Sequence, residues 1–427
     1  MSNKDKAPLV PKLRFPEFRG AAPWKPISLG EASIPVAERV GERKLTPVSI
    51  SAGIGFVPQA EKFGRDISGN QYQLYTLVRN GDFVYNKGNS LKFPEGCVYL
   101  LQGWGQVAAP NVFICFRLKD GYSNGFFQNC FEANAHGKQL KRHITSGARS
   151  NGLLNISKDA FFGVEIPTPT SPEQQKIADC LSSLDEFIAA QDRKVDALKT
   201  HKKGLMQQLF PREGETQPRL RFPEFRSAGD WTSTPLGKLL FSSPDYGVNA
   251  AAVPFSAELP RYLRITDISE DGRYLPGKQV SVDLDATEGN YLDDGDIVLA
   301  RTGASVGKSY RYREEDGRLV FAGFLIRVKS NPNDLDSTYL ANFLTTDEFW
   351  KWVAVTSARS GQPGINSTEY SSLPIPLPPN LIEQQRIAEG LTSLDDLTGK
   401  ATLELDTLKI HKKGLMQKLF PSFKEEK

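Results

Sequence analysis

A long-period internal repeat constrains this 427-residue chain more than any other feature. Residues 11–19, Pro-Lys-Leu-Arg-Phe-Pro-Glu-Phe-Arg, recur at 218–226 with eight of nine identities. The same offset of 207 carries Trp24 to Trp231 and Leu29-Gly30 to Leu236-Gly237. A second block repeats at an offset of 210: Glu173-Gln-Gln-Lys-Ile-Ala matches Glu383-Gln-Gln-Arg-Ile-Ala, and the eleven residues from His201 match those from His411 at ten positions. Between these constant ends the middles, 31–160 and 238–370, share little beyond Gly-Asp-Phe-Val (81–84) against Gly-Asp-Ile-Val (295–298). A period this long exceeds the roughly 20 to 50 residues of a solenoid unit, so the chain is a tandem of two domains. Constant ends around unlike middles describe a common frame presenting two different heads.

The frame is helical. Positions advancing alternately by four and three from Ile177 are Leu181, Leu184, Ile188, Gln191, Val195, Leu198, Lys202, Leu205 and Leu209, eight of the ten apolar. The second series is Ile387, Leu391, Leu394, Thr398, Ala401, Leu405, Leu408, Lys412, Leu415 and Leu419. Each is a coiled-coil seam sustained over more than four heptads, bounded by proline before it (Pro172; Pro378, Pro379) and after it (Pro211; Pro421). A helix of about 37 residues is about 55 Å long. A lone helix of this kind packs on its own domain; two copies with the same lysine interruption favour mutual packing, which pseudo-twofold symmetry makes antiparallel.

The heads read as α+β. β-rich segments bounded by glycine turns are predicted at Tyr72 to Val78, Asp82 to Tyr85, Cys97 to Leu101 and Val112 to Leu118, then at Tyr262 to Ile268, Asp296 to Ala300 and Leu319 to Val328, with a helix over Ser337 to Val355. The expected boundaries are 11–166 for the first head, 167–211 for its helix, 218–376 for the second head and 377–421 for the last helix. The head ends share a looser pattern: Thr145-Ser-Gly-Ala-Arg149-Ser150-Asn-Gly152 through Asn155, against Thr356-Ser-Ala-Arg359-Ser360-Gly361 through Asn366.

Charge alone does not identify a partner. The net charge is +3; residues 81–160 carry nine Lys/Arg against five Asp/Glu, and 295–360 carry nine against eight. Basic and amide residues nevertheless fall beside glycine and serine in predicted turns. The candidate DNA contacts are Asn86, Lys87, Ser90, Lys141, Arg142, Arg149 and Ser150 in the first head, and Arg261, Arg301, Thr302, Lys308, Arg359 and Ser360 in the second. Arginine and lysine neutralise phosphates or bond guanine edges, asparagine and glutamine pair with adenine, and glycine lets the backbone approach closely. Any one such turn by itself is read more readily as a solvated loop.

Enzymatic signatures fail on spacing. Gly303-Ala-Ser-Val-Gly307-Lys308-Ser309 has three residues between its glycines where a phosphate-cradling loop needs four, and Gly53-Ile-Gly55 lacks the third glycine of a dinucleotide site. Pro244-Asp245 with Glu258-Leu-Pro260 has proline where a metal-dependent nuclease core needs lysine. His136, His143, His201 and His411 lack nucleophile partners, and no catalytic residue or metal site is expected. The cysteines Cys97, Cys115, Cys130 and Cys180 have no CxxC spacing, and neither a secretory signal nor a membrane span is evident, so a cytoplasmic location is expected.

Ile166-Pro-Thr-Pro followed by Pro172-Glu-Gln-Gln-Lys-Ile-Ala, its counterpart Leu373-Pro-Ile-Pro-Leu-Pro-Pro before Glu383-Gln-Gln-Arg-Ile-Ala, and both copies of His-Lys-Lys-Gly-Leu-Met carry a resemblance. Over nearly the whole chain it resembles the specificity subunit of type I restriction-modification enzymes. That resemblance implies two pseudosymmetric target-recognition domains joined by two long helices in an antiparallel coiled coil. Each domain would read one part of a bipartite target in double-stranded DNA, and the helices would fix the gap between the parts. It further implies two methylation subunits, binding S-adenosylmethionine and methylating adenine, and usually two restriction subunits using ATP and Mg. The cofactors would belong to those partners. A coiled-coil scaffold without sequence preference would explain the helices but not the unlike heads; a fused nuclease or methyltransferase would need motifs that are missing.

Overall fold

A computed structural model describes residues 8–88, 93–144, 154–275, 277, 279–358 and 361–421. By contact density the chain divides into two units: residues 1–192 with 403–427, and residues 193–402. Each unit therefore holds one head, the first half of the helix that follows it, and the last half of the other long helix.

The first unit contains β1 (Lys25–Ser28), α1 (Leu29–Ala32), β2 (Ser33–Pro35), β3 (Thr46–Ser51), β4 (Gly55–Pro58), α2 (Gln59–Phe63), β5 (Thr76–Arg79), β6 (Asp82–Asn86), β7 (Cys97–Leu100), β8 (Gln106–Ala109), β9 (Ile114–Leu118), α3 (Asn124–Glu132), α4 (Gly137–Lys141), α5 (Lys158–Phe162) and β10 (Glu165–Thr168), then α6 (Ser171–Leu209), which runs on into the second. Two four-stranded sheets form, in the orders β2-β9-β6-β7 and β4-β3-β8-β5; Val48, Val84, Val107 and Cys115 fill the core between them. The other face of the first sheet, with Phe83 and Phe116, packs on Phe126, Phe131, Phe161, Ile177 and Leu181.

The second unit repeats the plan. Its elements are β11 (Thr232–Pro235), β12 (Asp245–Tyr246), β13 (Ala252–Pro254), β14 (Arg261–Leu263), β15 (Val280–Val282), β16 (Ile297–Ala300), β17 (Ser309–Arg311), β18 (Leu319–Phe321), β19 (Leu325–Val328), α7 (Ser337–Phe343), α8 (Asp347–Thr356), α9 (Ser367–Ser371), β20 (Pro374–Leu377) and the start of α10 (Leu381–Leu419). The sheet β12-β19-β16-β17 repeats the order of β2-β9-β6-β7, whereas β13-β15-β14-β18 keeps one parallel pair, β14 with β18 as β3 with β8, but carries it at an edge of the sheet instead of its centre. In both units a short antiparallel ribbon, β1 with β10 and β11 with β20, closes the head immediately before the long helix.

Four expectations change. Tyr72 to Val78 is a 3-10 turn over 69–74 followed by β5, and Tyr262 to Ile268 is β14 followed by a 3-10 turn over 265–267. The run Leu319 to Val328 is not one strand: a turn at Ala322 to Leu325, closed by the Leu325 N–H on the Ala322 carbonyl (2.8 Å), sends β18 and β19 to different sheets. Ser337 to Val355 is two helices, because Thr346 ends α7 by bonding the Phe343 carbonyl (2.7 Å) and caps α8 by accepting from the Phe349 N–H (3.3 Å).

The repeated motifs build a joint. Arg14 forks onto Glu173 at 2.8 and 2.7 Å and donates further to the carbonyls of Ala21 and Ala22. Arg221 does the same with Glu383, at 2.7 and 2.8 Å, and with the carbonyls of Ala228 and Gly229. Both ion pairs are buried, with side-chain exposures of 8% and 1% for the first and 6% and 1% for the second. The adjacent glutamines tie the head to the helix: Gln174 accepts from the N–H of Ser123, which caps α3, and Gln384 accepts from the N–H of Asp336, which caps α7, each at 3.0 Å. Leu13 N–H bonds the carbonyl of Lys418 (3.0 Å) in the first unit, as Leu220 N–H bonds that of Gln208 (2.9 Å) in the second.

The helices pair antiparallel inside each unit. In the first, Ile177 and Leu181 share a core with Met416 and Leu419, and Gln191 bonds Glu404 (2.8 Å). In the second, Met206 and Leu209 meet Ile387 and Leu391. Every seam position from Ile177 to Leu419 is buried or half-buried, as the heptad spacing requires. The seam lysines have acids waiting for them. Lys202 Nζ lies 2.7 Å from Asp395, and Lys412 Nζ lies 2.7 Å from Asp185 and 2.9 Å from Glu132. Burial alone would push the Lys412 ammonium down; its bonds to Asp185 and Glu132 outweigh that and hold it above the usual lysine value.

Replacing Glu173 or Glu383 by alanine strands a buried guanidinium, and denaturant unfolding should show a loss of about 3–5 kcal/mol in the unit that carries the change. His136 supplies a pH test. It is packed edge-on to Tyr85 and Phe131, and burial pushes its imidazole down to about 4. The unfolded imidazole, near about 6.5, takes up its proton first. The stability it supports is complete above about pH 6.5 and drains as pH falls toward 4. His136→Leu should flatten that part of the stability-versus-pH curve.

Candidate nucleic-acid interface

The central strands β6 and β16 end at the same place in each head, and each delivers a basic residue there: Lys87 and Arg301 stand five residues after Asp82 and Asp296. Both are then met by the segment that leads into the last short helix. The Lys87 carbonyl accepts from Leu154 N–H (2.9 Å), and the Arg301 carbonyl accepts from Ile365 N–H (2.9 Å). Turns that lie over 60 residues apart in sequence thus converge at one strand end in each head.

In the first head Asn86 braces this junction. Its amide donates to the Ile50 carbonyl (2.9 Å) and its Oδ1 accepts from Gly88 N–H (2.8 Å), so the side chain is engaged within the fold. Lys141 and Arg142 lie exposed at the end of α4, with no ion-pair partner among the described residues. Ser90, Arg149 and Ser150 lie outside the described residues, as do Arg359 and Ser360 of the second head.

In the second head four segments meet. Arg301 N–H bonds the Phe324 carbonyl (3.0 Å), Thr302 bridges Gly364, and Gly303 N–H bonds the Pro363 carbonyl (3.0 Å). Gly303 takes φ +75°, and a Cβ there would stand 3.0 Å from Gln362 Nε2, so only glycine fits without strain. The Arg301 guanidinium lies 4.8 Å above the Tyr246 ring, with one long bond to the Gly323 carbonyl (3.4 Å). The Tyr246 hydroxyl lies 3.2 Å from Ser367 Oγ and accepts from Ser367 N–H (3.1 Å), and these bonds pull the phenol below its usual value. Beneath, Tyr370 donates to the Ala300 carbonyl (2.7 Å) and pins α9 to β16. Around this floor Phe324, Gln362 and Asn366 are exposed, Phe324 to 61%.

Two other candidates sit elsewhere with partners of their own. Lys308 bonds the Ile268 carbonyl (3.2 Å) and pairs with Glu270 (2.8 Å), its side chain only 12% exposed. Arg261 lies on β14 and donates to the Asp316 carbonyl (2.8 Å). Tyr246 and Phe324 escaped notice in the sequence. Each stands beside a glycine, Gly247 and Gly323, but neither glycine is flanked by the basic or amide residues that mark the candidate contacts. Asp245, beside the weak nuclease-like pattern, is paired with Arg327 at 2.7 Å. Among the described residues no cluster of three or more His, Cys, Asp or Glu is placed to hold a metal ion, and no helix is long and apolar enough to cross a membrane.

A family model described as the type I restriction modification DNA specificity domain matches residues 75–200 and 259–406. The chain belongs to this family. Each match starts within a head and runs into the long helix that follows it. The chain is 25% identical over 294 residues to the MjaVIII specificity subunit of Methanocaldococcus jannaschii, covering 66% of this chain and 67% of that one. It is 26% identical over 267 residues to the StySPI specificity subunit of Salmonella potsdam, covering 60% of this chain and 55% of that one. The fold is that of the type I S subunit from M. genitalium (TM-score 0.58, 15% identity, covering 97% of this chain and 100% of that one). A chain from a structure of the type I restriction-modification system superposes with TM-score 0.54, at 18% identity, covering 93% of this chain and 97% of that one. As a specificity subunit, this chain has DNA sequence recognition as its task.

Proposed function

We propose that the two heads each read one part of a bipartite DNA target, that the paired helices set the unread gap, and that the same helices dock two methylation subunits. The observation that carries this reading is the joint. Two heads with unlike surfaces are mounted by the same buried Arg–Glu pair and the same glutamine bridge. A frame that holds its mounting constant while the mounted surface varies suits a reader whose target changes by head and whose partners do not.

Phosphate contacts from residues such as Lys141 and Arg142 would hold register while residues at the strand-end junctions meet base edges. Docking on the helices is supported by Phe187 and its repeat counterpart Leu397, which stay 68% and 51% exposed although both lie on long amphipathic helices. Methyl transfer from S-adenosylmethionine to adenine, and ATP- and Mg-dependent cleavage by two restriction subunits, would be supplied by those partners.

Exchanging residues 24–166 for another head should change one half of the modified sequence and leave the other half and the gap intact, as read by sequencing modified adenines in cells. A change in both halves would end the modular reading. Inserting one heptad into each helix at paired positions adds about 10 Å, and the gap should lengthen by about three base pairs.

A further inference from the structure

We propose that Arg301 reads a guanine edge in the major groove for the second head, with Tyr246 as the residue that positions it. This rests on the DNA-reading role above and assigns one base contact within it.

Charge bookkeeping singles the residue out. Between residues 261 and 327 the second head carries eight arginines, and six of them pair with a carboxylate. Arg261 gives its Nη1 to the Asp316 carbonyl at 2.8 Å. Arg301 is held less: among the described residues no acid lies within ion-pair distance, and its one side-chain hydrogen bond is the long 3.4 Å contact to the Gly323 carbonyl. A cation left unpaired on a surface that neutralises its other arginines is placed for an acceptor from outside the chain.

Geometry narrows the acceptor. The guanidinium rests on the Tyr246 ring at 4.8 Å, and that ring is fastened to Ser367 through its hydroxyl. The backbone of Arg301 is bonded on both sides, to Phe324 and to Ile365. A planar fork held by stacking loses little freedom on forming two parallel bonds, and O6 with N7 of guanine is the base-edge pair that matches it. The exposed Phe324 beside it would be covered by a bound base pair, and covering it raises the cost of leaving either partner unpaired. A phosphate would demand neither the fixed plane nor the apolar neighbour. In the first head the matching position holds Lys87, a point charge that cannot fork, so the two heads make different demands at this place.

The test uses the complete chain assembled with its methylation subunits, selecting bound duplexes from a randomised pool and sequencing them. The unaltered assembly should return a bipartite sequence with a guanine in the half assigned to the second head by head exchange. Arg301→Ala should lower preference for that guanine about 10- to 100-fold at one position only. Tyr246→Leu should weaken the same position and no other, and Arg313→Ala, which removes an exposed arginine paired with Glu315, should change nothing. The inference is overturned if Arg301→Ala leaves every base preference intact, or if it weakens all sequences equally, the mark of a phosphate contact. A wild-type assembly with no sequence preference would instead sink the functional reading on which it rests.

Discussion

The buried fork of Arg14 on Glu173, and of Arg221 on Glu383, is the contact on which the other arrangements depend. A guanidinium and a carboxylate this far from water are stable only when paired and further hydrogen-bonded, and the carbonyls of Ala21, Ala22, Ala228 and Gly229 supply those further bonds. That requirement fixes three things at once: the course of the segment that follows each arginine, the start of the long helix, and the helix cap of the head through the neighbouring glutamine. The Pro-x-Leu-Arg-Phe-Pro-Glu-Phe-Arg and Glu-Gln-Gln motifs repeat because they are the two sides of one joint. Their different offsets, 207 and 210, follow from heads of slightly different length between them.

Periodicity made the frame readable. Ten seam positions in each helix could be named from spacing, and the lysines at 202 and 412 were visible as interruptions. Their meaning was not visible, since Asp395 and Asp185 lie on the opposite helix, and Glu132 comes from α3 of the head. Nor was the full width of the buried face. Ala178, Ala388, Met206 and Met416 lie one residue off the strict seam and are buried because each helix end packs on a head as well as on its partner.

Inside the heads the sequence spoke less clearly. The strands with alternating or wholly apolar patterns, β6, β7, β9 and β16, were placed within a residue or two. The turn at Ala322 to Leu325 was hidden because its residues are as apolar as the strands on either side, and the break at Thr346 because a threonine inside an apolar run reads equally as helix interior or cap. The basic turns were legible as candidates, but sorting them needed tertiary contacts. Lys308 and Arg261 look no different from Arg301 along the chain; Glu270, Asp316 and Tyr246, all distant in sequence, separate them.

The hydrogen bond from Leu13 to Lys418 has a topological consequence. In the second unit its counterpart, Leu220 to Gln208, joins residues twelve apart on a continuous stretch of chain; in the first unit it joins residues separated by nearly the whole polypeptide. The same backbone contact is thus made once beside a short covalent link and once without one, and among the described residues only the first joint adds an indole bond, from Trp24 to Glu173 (3.3 Å). In the first unit, packing and hydrogen bonding alone hold what a short span of chain helps to hold in the second.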